Sequence, residues 1–310
     1  MTAILVGVDR TERSEDAVAL ARDLAALTGA RLTFASAVAM PDVALLGDEV
    51  AGRLVDEAVE DERRLLDDRA SSLRDTGIDV ECVARAYVSP AFMLQELAEQ
   101  QRADLVVVGS THRSTLGRVL TGSTGGRLLQ GSPCSVAIAP RGHHATGERA
   151  LRRIGVAYDG SDEARSALRA GAALAERAAA RLDVITVLDV AQFGSPALMG
   201  GPSYDRARAD LESIARSRLD LVVADLPGGA HATGQLLAGE PAAELARATE
   251  GLDLMITGSR GYGPLRAVLL GAVSERLIRQ SACPVVVTPR GVERPLTALF
   301  DEPAAPTRRT

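Results

Sequence analysis

Short apolar runs alternate along the chain with longer stretches in which apolar residues recur every three or four positions. Residues 3–9 form a β-branched run that ends in Asp9. Next comes a segment with Ala17, Ala21, Leu24 and Ala25 on one helical face, which Ser14 can cap. Residues 31–38 read as a second strand. Residues 49–75 read as a charged helix with Leu54, Ala58, Leu65, Leu66 and Leu73 at its apolar positions. A third strand is expected over 78–86. Pro90 then opens a helix through Met93, Leu94 and Leu97, because proline suits the first helical turn. Asp104-Leu105-Val106-Val107-Val108 is continuously apolar after its first residue, the pattern of a strand buried on both faces and hence of a parallel sheet. A loop follows, then a helix from about Gly122 to Gln130, then a last strand at 134–139.

The pattern then repeats at an offset of about 150 residues. Ile4-Leu5-Val6-Gly7-Val8-Asp9 corresponds to Ile154-Gly155-Val156-Ala157-Tyr158-Asp159. Further on, Asp104-Leu105, Gly109-Ser110, Gly122 and Cys134 meet Asp253-Leu254, Gly258-Ser259, Gly271 and Cys283. A period this long means two domains and not a solenoid. The expected fold class is α/β: two tandem doubly wound (Rossmann-like) domains, each with a five-stranded parallel sheet in strand order 3-2-1-4-5. The expected boundaries are 1–142 and 150–292, joined by a solvated linker over 141–150 and followed by a frayed tail, 293–310. The segment 191–203, with Gly194, Pro196, Gly200, Gly201 and Pro202, reads as a loop. The terminal strands 134–139 and 284–288 can pair within the chain or between chains. A compact pseudo-dimer is expected, and a homodimer of such tandem chains.

Composition narrows the chemistry. The 310 residues carry a formal net charge of −6, which argues against a nucleic-acid partner. All 35 basic residues are arginine, so chemistry that needs a lysine amine is excluded, including Schiff bases and the phosphate-loop lysine. Three widely spaced cysteines without a CxxC pair argue against a disulfide framework and a zinc site, and no metal site is expected. Cys134 and Cys283 read as core residues. No run approaches the ~18–20 apolar residues of a membrane span. Met1 to Val6 has no basic flank and leads into an acidic loop, so no signal peptide is expected and the expected compartment is the cytoplasm. His143 and His144 read as linker residues and His231 as exposed.

In sheets of this type ligands sit at the carboxyl ends of strands, where strand order reverses. Two loops there are distinctive. One follows the first strand and bears Asp9 or Asp159. The other follows the fourth: Gly109-Ser110-Thr111-His112, nine residues, then Gly122-Ser123, and in the second half Gly258-Ser259-Arg260-Gly261, nine residues, then Gly271-Ala272. Glycines allow backbone N–H groups close to an anion, and the helix that opens at the last glycine favours phosphate. The same glycines can merely turn the chain, with Ser123 a plain helix cap. Arg260 can serve a phosphate or be a solvated loop residue. Recurrence at one spacing favours an anion site.

Over roughly 1–142 and 150–292 the chain resembles a tandem universal stress protein. That family carries Gly-x2-Gly-x9-Gly-(Ser/Thr) after its fourth strand and an Asp at the end of its first. The resemblance implies ATP, with or without Mg, as the bound cofactor. The Asp and a backbone position ending the second strand would contact adenosine, while the glycine loop and following hydroxyls would take phosphates. Carried over, the first half offers Asp9, Ala37, Gly109, Gly122, Ser123 and Thr124, with His112 standing where the second glycine belongs. The second half offers Asp159, Val187, Gly258, Gly261, Gly271 and Ser274, with Arg260 beside the loop. There Ala272 replaces the first hydroxyl residue, and Val273 lies between it and Ser274. One lost hydroxyl costs about 1 kcal/mol, about five- to tenfold in affinity. A side chain at a glycine position costs more, so the second half ranks as the better ATP site. The implied function is an ATP-binding regulatory stress-response module and not an enzyme. The alternatives are a nucleotide-free scaffold acting through its surfaces and an ATP-hydrolysing or adenylating enzyme. The single glycine of Asp159-Gly160-Ser161-Asp162 argues against the adenylating kind.

Overall fold

A computed structural model describes residues 2–40, 47–110, 123–146, 150–189, 202–227, 231–259, 272–289 and 296–300. In the first half the order is β1 (Ala3–Gly7), α1 (Arg13–Thr28), β2 (Arg31–Val38), α2 (Asp48–Ser71), β3 (Val80–Ala86), α3 (Pro90–Gln100), β4 (Leu105–Gly109), α4 (Ser123–Gly131) and β5 (Ser135–Ala139). In the second it is β6 (Arg153–Ala157), α5 (Asp162–Ala178), β7 (Arg181–Asp189), α6 (Pro202–Ala224), β8 (His231–Gly239), α7 (Pro241–Ala248), β9 (Leu254–Gly258), α8 (Ala272–Gln280) and β10 (Val285–Thr288).

The expected strand order holds in both halves, but the two sheets are one. The ten strands run β3-β2-β1-β4-β5-β10-β9-β6-β7-β8. Within each half every pairing is parallel. The joint between β5 and β10 is antiparallel, with Val285 opposite Ile138, Val286 opposite Ala137 and Val287 opposite Val136. The choice left open by the sequence, pairing within or between chains, is thus made within the chain. Because the joint reverses direction, the carboxyl ends of the strands in the two halves lie at opposite edges of the sheet.

Strand side chains alternate between two layers, and each layer spans both halves. On one face Ile4, Val6, Leu105, Val107 and Ala137 pack with α1, Leu66 of α2, α5 and Leu219 of α6. On the other, Leu5, Val106, Val136 and Ile138 pack with α3, α4, α7 and α8. The alanine-rich helices α1 and α5 touch each other across the joint. A duplicated staple sets the amino ends of the central strands. Asp104, fully buried, accepts the Ala3 amide at 2.9 Å, and Asp253 accepts the Arg152 and Arg153 amides at 2.9 Å. One polar cluster is not duplicated. Asp183, 0% exposed, accepts Arg153 Nη2 at 2.7 Å, Arg181 Nε at 2.9 Å and Thr233 Oγ1 at 2.8 Å. Burial works against its ionised form, but these hydrogen bonds and the two guanidinium charges outweigh it and hold the carboxyl below the usual range.

Two connections depart from expectation. The linker is docked at one point and not free throughout: His143 is buried while Arg141, His144 and Ala145 stay exposed, and Asp16 of α1 accepts the Gly142 amide at 3.0 Å and the His144 amide at 2.9 Å, with His144 Nδ1 2.7 Å away. A buried carboxylate facing a run of free amides pulls the chain onto the helix. The tail is not frayed throughout: residues 296–300 form a 3-10 turn that buries Leu296 and Leu299, and Arg177 of α5 lies over the Phe300 ring. Apolar area outweighs the ordering cost there. The segment 191–201 and residues 293–295 and 301–310 lie outside the described residues.

The C-termini of α1 and α5 give a test. Gly29 ends α1 in the left-handed region at φ +69°, where glycine is unstrained. Its repeat-mate Ala179 ends α5 at φ +50°, a conformation costly for a residue with a Cβ. Ala179→Gly is expected to raise stability by roughly 0.5–1 kcal/mol in urea unfolding. A loss of stability would contradict the assignment.

Candidate functional site

The carboxyl ends of β1 and β4 lie where the sheet order turns from β2-β1 to β4. In the first half a cavity of about 150 Å³ opens there, and its lining includes Asp9, Arg13, Ser36, Ala37, Gly109 and Thr124. Four of these, Asp9, Ala37, Gly109 and Thr124, are sequence-predicted site residues, and the fold brings them together. Ser123 opens α4, whose first-turn amides face no intrahelical acceptor. The side chain of Ser123 is outside the described residues, as are His112 and Gly122.

Asp9 is held tightly by its own loop. Its Oδ1 accepts the Thr11 amide at 2.9 Å, the Thr11 hydroxyl and the Ser14 hydroxyl at 2.9 Å; its Oδ2 accepts Arg13 Nη2 at 2.8 Å. Burial raises its pKa, but these donors and the Arg13 charge outweigh that and hold the carboxyl below its usual range. Ser14 does not cap α1. Glu12 is the N-cap, without a side-chain bond, and Ser14 instead accepts the Asp9 amide at 2.6 Å.

The charged helix α2 contributes more than a solvated face. Glu62, 6% exposed, accepts Ser36 Oγ at 2.7 Å and Arg10 Nε at 2.8 Å. Arg69 pairs with Glu15 at 2.9 Å and donates to the Asp9 carbonyl. Together they clamp the Asp9 loop from above. Sequence reasoning missed Arg13, Ser36, Glu62 and Arg69. A signal existed for two of them: Arg13 stands four residues after Asp9, and Glu62 shares the apolar stripe of Ala58 and Leu66.

In the second half Asp159 Oδ1 accepts the Ser161 amide at 2.9 Å, and Ser161 caps α5 by accepting the Ala164 amide at 3.2 Å. Gly160 bends this loop at φ +83°. Glu163 stands where the first half has Arg13. Val187 lies near the carboxyl end of β7 opposite Leu237. Buried Ser274 donates to the Gly258 carbonyl at 3.2 Å, and Val273 beside it is exposed. Ala272 opens α8, with its side chain outside the described residues. Arg260, Gly261 and Gly271 are outside them altogether. The ranking of the second half above the first therefore rests on sequence.

Gly109 and Gly258 have a packing role that the sequence did not disclose. A Cβ on Gly109 would stand 2.2 Å from the Arg13 carbonyl oxygen, and one on Gly258 2.7 Å from Glu163 Cβ. These glycines let the first turns of α1 and α5 close on the strand ends.

Cys134 and Cys283 are buried core residues. Burial and the Asp67 carboxylate push the Cys82 thiol up to about 12, which leaves little thiolate. Among the described residues no helix is long and apolar enough to cross a membrane, and no three His, Cys, Asp or Glu cluster as metal ligands.

Comparison with known proteins agrees with this architecture. The sequence profile of the universal stress protein family matches residues 1–140 and 150–289. A universal stress protein of Mycobacterium tuberculosis is 28% identical over 79% of this chain and 81% of its own length. One of Mycolicibacterium smegmatis is 27% identical over 93% of this chain and 97% of its own. The crystal structure of a universal stress protein from Archaeoglobus fulgidus superposes with a TM-score of 0.70 at 24% identity, covering 93% of this chain and 98% of that one.

Two outcomes follow from the geometry. Gly109→Ala is expected to destabilise the protein by about 1–3 kcal/mol in urea unfolding, since backbone must shift to admit the methyl; an unchanged midpoint would contradict the packing. Asp9, with its lowered pKa, stabilises the fold fully above its unfolded value and loses that contribution as pH falls through the folded one. The stability gap between wild type and Asp9→Asn should therefore be full above about pH 5 and shrink as pH falls past the unfolded value and through the lower folded one. A gap independent of pH would show that the charge contributes nothing.

Proposed function

The chain belongs to the universal stress protein family, and from that premise we propose that it is a nucleotide-binding regulatory protein whose ligand is an adenine nucleotide, ATP with or without Mg. The observation that carries this reading is the cavity at the turn of the strand order, into which Asp9 of the β1 loop, Ala37 of β2, Gly109 of β4 and Thr124 of α4 converge. The adenosine end of the ligand lies between the β1 loop and the end of β2. The phosphates lie at the amino ends of α4 and α8, where free amides and the helix dipole favour anions without a lysine.

The second half is the better of the two sites. It keeps both loop glycines, Gly258 and Gly261, and a hydroxyl at Ser274 is oriented to the strand end. Binding, and not turnover, is the activity. Asp9 is hydrogen-bonded and its pKa is held low, which makes its carboxylate a weak general base. Occupancy stabilises one conformation or assembly, by no more than the difference in affinity of ATP for the two states. Homodimers of tandem chains would use surfaces other than β5 and β10, whose edges are already paired.

The test starts from protein purified without added nucleotide. Denaturation should release adenine nucleotide. Gly261→Glu should abolish the release, while Thr124→Glu should largely spare it. Added ATP at about 100 times its Kd should stabilise the fold by about 2.7 kcal/mol. If no nucleotide is released and ATP leaves the melting temperature unchanged, the protein is a scaffold that works through its surfaces.

A further inference from the structure

The amino ends of α3 and α4 share the first-half cavity. Pro90 and Met93 line it from one helix, Thr124 and Gly125 from the other. Neither helix carries an acid in its first turn. Ser89, the N-cap of α3, has an extended backbone and makes no capping bond with its side chain. It is 5% exposed, and its Oγ accepts Arg127 Nη1 of α4 at 3.3 Å, which is long for a hydrogen bond. The first-turn amides of α3 thus have no side-chain acceptor, and a guanidinium adds its charge to the positive end of the helix dipole. The nearest acid of α3, Glu96, lies two turns along and is taken by the Tyr87 hydroxyl.

The second half shows what fits in this place. Pro241 opens α7 as Pro90 opens α3, and the residue before it is Glu240 instead of Ser89. Glu240 Oε2 accepts the Ala243 amide at 2.9 Å, and its Oε1 accepts Arg276 Nη1 at 2.9 Å. Arg276 follows Gly271 as Arg127 follows Gly122, so the two arginines are repeat-mates. The same helix end and the same arginine therefore clasp a carboxylate in one half, and only a hydroxyl in the other. Glutamate exceeds serine by roughly the bulk of an acetate ion, so the shorter side chain leaves the carboxylate position to something else. We propose that the amino end of α3 and Arg127 form an oxyanion subsite beside the first-half cavity, which takes a carboxylate or phosphate group from a ligand where the second half supplies Glu240. Arg127 is exposed, so an anion reaches it without any opening of the fold. Backbone amides and a guanidinium give charge-assisted hydrogen bonds to such a group. The subsite does not require that either cleft hold a nucleotide.

The experiment follows the backbone amide signals of the isotope-labelled full chain by NMR during titration with inorganic phosphate, and separately with acetate, at constant ionic strength. The amides of Ala91 and Phe92 should shift and saturate in the wild type. Their counterparts Ala242 and Ala243 should not respond, because Glu240 already holds that place. Ser89→Glu should abolish the response at Ala91 and Phe92. The second half shows that the fold accepts a glutamate there, so the melting temperature of this variant should equal or exceed that of wild type. Arg127→Gln should weaken binding about tenfold, the loss expected for one charge-assisted hydrogen bond. Saturation by both anions supports a general oxyanion subsite, and saturation by one of them narrows the ligand to that head group. If Ala91 and Phe92 shift only in proportion to the added salt, or if their response survives Ser89→Glu unchanged, the subsite does not exist. That result leaves the nucleotide reading standing, since release of bound nucleotide tests it separately.

Discussion

Everything in this molecule is arranged around the antiparallel pairing of β5 with β10. Each half ends in an apolar strand whose outer edge would otherwise present free N–H and C=O groups to any passing strand. Pairing Val285 with Ile138 and Val287 with Val136 satisfies both edges at once. It also merges the two helical layers, so that α1 meets α5 over the joint and one apolar cluster runs through both halves. The small side chains there, Ala137 on the strand and the alanines of α1 and α5, are what let two helices and a strand joint share one layer. Among the described residues the outermost strands are β3 and β8, at the far ends of the sheet.

That joint also dictates where the strand-end loops of the two halves lie. Reversal at β5–β10 sends the carboxyl ends of the two half-sheets to opposite edges, so the Asp9 and Asp159 loops lie on opposite sides of the joint. Any communication between them must pass through the sheet and the α1–α5 contact. Both clefts are built the same way: a strand-end glycine admits the first turn of a helix, and an aspartate loop folds over that turn. The loop side chains then diverge. The first half surrounds Asp9 with Arg13, Arg10, Glu62 and Arg69, an ion network tied to α2. The second half caps α5 with Ser161 and carries acids at Asp162 and Glu163. Duplication preserved the scaffold and let the electrostatics drift.

Much of this was legible in the residues. The repeat, the strand order and the parallel sheet followed from short apolar runs separated by amphipathic helices, because burial on both faces leaves an unmistakable Asp104-to-Val108 pattern. The placement of Asp9, Ala37 and Gly109 at strand ends was legible for the same reason: topology fixes it. What escaped was decided by contacts distant in sequence. Asp16 draws in Gly142 and His144 over more than 100 residues, so the linker could not be read as docked. Glu62 looked like one charge among many until Ser36 and Arg10 were found against it. Gly109 and Gly258 were read as sites of anion approach, yet their immediate neighbour is the backbone of a helix. Ser14 had a good capping sequence and chose the Asp9 amide, a local competition that pattern cannot resolve.

The most direct test of the central claim is native-state hydrogen exchange at the joint. If the ten strands form one cooperative unit, the amides of β5 and β10 will exchange only through global unfolding, together with those of β1 and β6, and with the same free energy. Exchange at the joint that is faster than in β1 and β6, with each half retaining its own protected core, would mean that the halves are separate domains in mere contact.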